Sequence, residues 1–451
     1  MDAAEKRPLM FSNRALVSLS VPIVIEALLS ILTGMVDSVM VSSAGETAVS
    51  AVSLVDSINI LFITVILAVI NGGVVVTAQY IGSGNTKNAR TSANQLLYAS
   101  TAVSIIFMAV LLTFAPQILR FVFGSVEPAV FEQAKTYFYL TLISYPLYAV
   151  GASGTSLLRS MTRSRMALFI TGSANLLNVI GNAILIYVFD MGVAGAAIAT
   201  TFSRLYWAVM SMIIVHNKLL PVYFENLLKF RFNWDIMKRV LTLGLANGLE
   251  NGLFHIGKIS VSSLVSSFGT IAIAANSVAN TLCNFGWTTV GSMGTVLLTV
   301  VGQCMGAREI EQAKMYTKKF MSIAFVLVVT LFGAIFLLRN QLVLMFSFGE
   351  EALAEAAYYT GMASLLTIGS MYALSFVPVS AFRAAGDTKY AVTLAVSSMF
   401  TFRVALSYLL GLVFDMGLTA VWIGMAADWA CRSIINTIHF RRGKWLTKKV
   451  I

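Results

Sequence analysis

Twelve long apolar stretches punctuate the chain, near residues 15–42, 51–81, 92–119, 128–155, 166–189, 193–217, 240–267, 272–305, 316–338, 352–381, 390–413 and 418–440. Each exceeds the window of about 19 residues on which a membrane-crossing helix shows itself. Lipid offers no partners for backbone N–H and C=O groups, so each stretch is expected to be a helix. A barrel would show short alternating strands instead. Polar residues gather in the intervals, and the longest polar connection, 218–239, falls in the middle of the chain.

The pattern also repeats. A shift of 224 residues carries Leu19 onto Leu243, Glu26 onto Glu250, Gly45 onto Gly269 and Gln79 onto Gln303. It carries Gly82 onto Gly306 and Arg159 onto Arg383. After a one-residue slip, "VFDMGVAGAAIA" (188–199) meets "VFDMGLTAVWIG" (413–424). Six spans per half is an even number, so both halves enter the membrane in the same direction. Such parallel repeats are related by an axis along the membrane normal, with a cavity between two lobes. The predicted fold is an all-α integral membrane protein, its twelve transmembrane helices arranged as two six-helix bundles. Its parts are a tail (1–14), a first lobe (15–217), a linker (218–239), a second lobe (240–440) and a basic tail (441–451). This is the architecture of an alternating-access transporter.

Composition supports that reading. Of 451 residues, 58% are hydrophobic and 11% charged, and mean hydropathy is +0.82; soluble domains carry about 25% charged residues. The net charge of +11 would suit nucleic acid if it formed one patch, but Lys and Arg sit in short clusters between apolar runs, such as "RRGKWLTKK" (441–449). One set of loops, with the termini and Arg432, holds 25 of the 31 Lys and Arg; the other side has Arg120, Lys135 and Arg339. The positive-inside rule then places both termini in the cytoplasm and the protein in the cell's inner (cytoplasmic) membrane. Cys283, Cys304 and Cys431 lack metal or redox spacing, so apolar packing is expected of them. "MDAAEKRPLMFSNRA" reads as a cytoplasmic tail rather than a cleavable leader. No cofactor, catalytic constellation or nucleic-acid partner is expected, and the chain is expected to be a monomer among membrane lipids.

Ionisable residues inside spans are costly and tend to be functional. Here they are Glu26, Asp37, Asp56, Arg204, Glu250, Lys258, Arg403 and Asp428. Asp56 and Asp428 lie near expected helix ends, and Asp428 has Arg432 at i+4 for a local pair. Arg204 and Arg403 carry no assignment. Asp37 has no basic neighbour one turn away on its own helix. It must be protonated, bind a cation or face a polar cavity. Glu26, eleven residues earlier, lies on the same face about 16 Å away. Asn175, Asn178 and Asn182 share a face of span 5. That stripe is either interhelical glue or a set of neutral ligands for a cation held by Asp37. In span 7, His255 and Lys258 follow Glu250 closely enough for long side chains to share a pocket. Pro22 and Pro378 can kink spans 1 and 10.

At "LSVPIVIEALLSILTGMVDSVMV", "QYIGSGN", "QCMGARE" and "NVIGNAILIYVFDMGVAGAAIATT" the sequence resembles the multidrug and toxic compound extrusion (MATE) family, over residues 12 to 440. The resemblance implies a V-shaped pair of bundles that exports organic cations and drugs against inward proton or sodium flow. It also implies a coupling site at Asp37, Asn178, Asn182 and Thr200, with Asp37 and Asn178 as ligands if the ion is sodium. Relatives with such a site carry a second acid where Asn182 stands here, which favours the proton. The alternative cargo, carried by related two-lobe exporters, is lipid-linked or oligosaccharide material; a lumen lined by Lys and Arg would favour it.

Overall fold

The computed structural model describes residues 8–124, 127–225, 231–346 and 348–451. Residues 226–230 of the expected linker and 1–7 of the expected tail lie outside the described residues. The first half contains α1 (Asn13–Ser42), α2 (Glu46–Gly82), α3 (Thr86–Phe123), α4 (Pro128–Ile143), α5 (Tyr145–Ser160), α6 (Ser164–Asn182) and α7 (Gly192–Val215). The second contains α8 (Trp234–Ser266), α9 (Thr270–Gly306), α10 (Ile310–Val343), α11 (Glu350–Gly369), α12 (Tyr372–Ala385), α13 (Thr388–Ser398) and α14 (Leu418–Arg442). π-helical segments extend α6 over Ala183–Val188 and α13 over Met399–Leu406 and Leu409–Val413. Joined across their short breaks, the helices of the described residues make twelve rods. Among the described residues eight helices are long and apolar enough to cross a membrane, or nine if α11 and α12 form one bent span. The other rods are α4–α5, two short helices, and α8 and α14, which carry ionisable residues discussed below.

Local chemistry sets the boundaries. Ser12 caps α1 by accepting from the Ala15 N–H at 3.2 Å. Asn233 does the same for α8 through Ile236, which starts that helix at Trp234, inside the stretch expected to be linker. Asn94 and Gln95 of α3 clamp the linker backbone at Glu225, Arg231 and Asn233. Pro146 cannot continue the hydrogen-bond ladder, and α4 gives way to α5 at Ser144. The corresponding rod in the second half bends by 53° between α11 and α12. That bend falls at Met371, in left-handed backbone at φ +54°, and not at Pro378, where the sequence suggested a kink.

The repeat is visible in the turns. Positive φ recurs at Gly45 and Gly269, at Gly84 and Arg308, and at Asp190 and Asp415. The one-residue slip has a structural cause. Helices α6 and α13 start 224 residues apart, yet the turns after them lie 225 apart. A π-turn is the form a helix takes when it absorbs one extra residue. The π-segment Ala183–Val188 has its counterpart in Leu409–Val413, whereas Met399–Leu406 is extra to the second half.

Large apolar side chains such as Ile106, Phe169, Val326 and Leu337 point outward, as lipid allows. Small polar groups bond inside, for example Thr77 with Ser92 at 2.9 Å and Ser100 with Ser153 at 2.8 Å. The lobes meet near the end that carries both termini. There the ends of α2 and α9 cross so closely that a Cβ on Gly82 would overlap the Gln303 main chain, and one on Gly306 the Gln79 main chain. The Gln79 amide donates to the Ala384 carbonyl and the Gln303 amide to the Ser160 carbonyl, both at 2.7 Å. Each glutamine thus ties its own lobe to the other. The C-terminal segment lies beneath this crossing, with Trp445 fully buried and Val450 against Gly386.

Further along, α2 packs against α8 through Gly72 and Gly244. A Cβ on Gly72 would fall 2.5–2.9 Å from Gly244 and Val240 main-chain atoms. Gly72→Val should therefore destabilise the protein by about 1–3 kcal/mol, while Gly333→Val, with open space around it, should be nearly neutral. Thermal unfolding of both variants in detergent checks this; equal melting temperatures would contradict the packing.

Candidate functional site

Helix α1 carries the first-lobe carboxylates. Pro22 leaves the Ser18 carbonyl without its helical donor, and Ser164 at the start of α6 supplies one, its hydroxyl lying 3.3 Å from that oxygen and 3.0 Å from the Leu19 carbonyl. The helix runs through Pro22 unbroken. One turn later Glu26 turns into the lobe. Arg159, at the end of α5, donates to it through Nε at 3.2 Å and through Nη2, and the Thr171 hydroxyl donates at 2.8 Å. Glu26 is therefore a neutralised carboxylate in the cavity wall.

Asp37 differs. Asn182 donates to its Oδ1 at 2.7 Å. The Asn178 amide, oriented with its nitrogen toward the carboxylate, donates to both oxygens at 3.0 Å. Its oxygen is then placed to accept from the Thr200 hydroxyl, 3.3 Å away. The structure thus brings Asp37, Asn178, Asn182 and Thr200 together from α1, α6 and α7. No Lys, Arg or His among the described residues makes an ion pair with Asp37. Asp37, Asn178 and Thr200 border a cavity of about 440 Å³ that also exposes Glu26, Asn175, Tyr148, Arg204 and Trp207, with Asn182 buried behind Asp37. The Asn175 amide nitrogen is buried without a protein partner.

Beside this cavity lies a network missed in the sequence. Asp56, ten residues inside α2 rather than at its end, accepts from Asn59 at 3.3 Å and from the Tyr137 hydroxyl at 3.4 Å. Asn59 accepts from Tyr145 at 2.8 Å. Arg204 donates to Ser144 at 2.6 Å and stacks 5.3 Å from the Tyr148 ring centroid.

In the second lobe Glu250 takes two 2.6 Å hydrogen bonds from Arg383. This is a correction to the expected pocket with His255 and Lys258, neither of which bonds to Glu250. Arg383, in the last turn of α12, reaches the carboxylate directly, whereas Lys258 stands two turns along α8 on an exposed position. Asp428 does form its i+4 pair with Arg432, at 2.8 Å, but as a fully buried group inside α14. Arg159, Arg383 and Arg432, counted with the loop charges by sequence, are thus helix residues with buried or half-buried carboxylate partners.

A family model described as MatE matches residues 22–184 and 247–409, one copy on each half. The chain belongs to the MatE family. Its members are membrane transporters, not enzymes. The "Uncharacterized transporter YisQ" of Bacillus subtilis (strain 168) is 25% identical, covering 96% of this chain and 95% of that one. The "Probable multidrug resistance protein NorM" of Thermotoga maritima is 24% identical, covering 97% and 94%. A solved structure of a multidrug resistance MATE family transporter in an outward-facing conformation superposes with a TM-score of 0.90 at 21% identity, covering 97% of both chains.

Within this MatE chain the two Glu–Arg pairs are the same pair used twice, each joining residues 133 apart. Removing one member of such a buried pair strands the other charge, at a cost of about 3–5 kcal/mol. Arg159→Met should therefore lower the unfolding temperature strongly, and adding Glu26→Gln should restore part of the loss. A double variant that is merely additive in thermal unfolding would contradict the coupling.

Proposed function

We propose that this MatE transporter exports organic cations in exchange for protons, with Asp37 as the group for which the two compete. The observation that carries the reading is a lumen-facing carboxylate whose partners are neutral amides, in a lobe where Glu26 already has its arginine. A proton or a cargo cation can supply the missing positive charge. By linkage, each weakens the binding of the other. The names of the NorM and MdtK relatives, multidrug resistance proteins, agree with a drug-like cargo.

The donor geometry favours the proton over sodium. Sodium takes oxygen ligands, yet Asn182 presents its amide nitrogen to Asp37, so that amide would have to turn. Asn182 is also neutral, so the site holds one negative charge. Tyr148 and Trp207 in the same cavity wall suit flat cations, because aromatic faces attract positive charge. The excess of Lys and Arg at the closed end supports a cytoplasmic position for both termini. The cavity would then open outward, where Asp37 takes a proton and releases cargo.

Proteoliposomes with separately imposed proton and sodium gradients test this. Ethidium export should follow the proton gradient, and Asp37→Asn should insert normally yet lose gradient-driven export. Full export by Asp37→Asn, or export driven by sodium alone, would overturn the reading.

A further inference from the structure

The second lobe carries the opposite charge at the corresponding place. Its extra π-segment, Met399–Leu406, absorbs the inserted residue and carries Arg403 to the position that Asn178 and Val179 occupy in the first lobe. The repeat mate of Asp37 is Val261. Where the first lobe keeps an acid between amides, the second has an apolar residue and a guanidinium.

Arg403 is 8% exposed. It stacks 5.3 Å from the Phe254 ring centroid and 5.9 Å from that of Trp429, and it has no hydrogen bond or ion pair among the described residues. The nearby carboxylates are committed. Asp428 holds Arg432, which also donates to Ser398 and the Ala395 carbonyl, and Glu250 holds Arg383. Lys258, one helical turn after Phe254 on α8, adds a second positive charge without an ion-pair partner among the described residues. Trp429 and Trp287, with ring centroids 5.6 Å apart, both bury indole N–H groups without an acceptor. Arginine and tryptophan are donors only, so the cluster lacks an acceptor rather than a donor. Among the described residues the second oxygen of Asp428, fully buried, and the Ser407 hydroxyl have no hydrogen-bond partner. A desolvated guanidinium over aromatic faces, with its own N–H groups unspent, is the arrangement that takes a carboxylate, sulfonate or phosphate group.

We infer that the second lobe of this transporter holds a binding site for the anionic group of an amphiphile, centred on Arg403 with Phe254 and Trp429 receiving the apolar body. Lys258 raises the local potential from the exposed face of α8. The site stands apart from Asp37, so it holds or fails independently of the proton-coupling proposal. Its occupant is either the charged group of a soluble amphiphile or an anionic lipid headgroup.

The test is binding of 2-naphthoate, followed by tryptophan fluorescence, to the full chain in phosphatidylcholine nanodiscs. The trimethylammonium analogue of the same ring serves as the cationic control. Wild type should bind the naphthoate. Arg403→Gln should weaken that binding at least tenfold, with Arg403→Lys in between. Lys258→Gln should weaken it by a smaller factor, and Asp37→Asn should leave it unchanged. Nanodiscs containing phosphatidylglycerol separate the two sources: a weaker apparent naphthoate affinity there assigns the site to lipid, and an unchanged one to soluble cargo. Wild-type affinity in Arg403→Gln would overturn the proposal. If that variant does not fold, full affinity in Lys258→Gln together with equal binding of naphthoate and its cationic analogue by wild type would do the same. Arg403 would then be a structural residue held by its rings and the field of Asp428.

Discussion

A carboxylate buried in lipid-embedded helices must be neutralised, and the arrangement of the lobes follows from how each one is. Glu26 and Glu250 are settled by Arg159 and Arg383, identical pairs on opposite lobes, and Asp428 is settled by Arg432. The two Glu–Arg pairs also join separate helices, α1 to α5 and α8 to α12, so that charge balance and packing are one requirement. Asp37 and Asp56 bond instead to neutral groups, and Arg204, Lys258 and Arg403 have no ion pair among the described residues. Arg403 stands at the repeat position of Asn178, the amide that bonds Asp37, so the two lobes place opposite charges in matching regions.

The second constraint is steric. Helices α2 and α9 cross at Gly82 and Gly306 with no room for a side chain, and Gln79 and Gln303 each reach across to a carbonyl of the other lobe. The contact holds this end shut, while the first-lobe cavity lies further along α1. Opening this end requires both glutamine bonds to break. Because the two are repeat-related, a single motion about the pseudo-axis can release both. That is the economy of a parallel repeat in a transporter.

Much of this was legible in the sequence. Long apolar runs fixed the rods, because lipid leaves the backbone no alternative to helix. The 224-residue register exposed the two lobes. The stripe of Asn175, Asn178 and Asn182 pointed to the face that meets Asp37, since helical spacing is rigid. The ion-pair partners were harder. Arg159 and Arg383 read as loop charges because hydropathy windows blur the last turn of a helix, although the joint recurrence of Glu and Arg in both halves was a usable signal. The Asp56 network depends on contacts among three helices, which no local pattern encodes. The one-residue slip was visible as a slip, but not as a π-turn aimed at the second lobe. The bend at Met371 rather than Pro378 shows tertiary packing overruling a local breaker.

The central claim is that a cargo cation and a proton compete for Asp37. Proton release on adding ethidium to the purified, weakly buffered protein measures that competition directly. Wild type should release protons and Asp37→Asn none. Equal release from both, or none from wild type at any pH where ethidium binds, would contradict it.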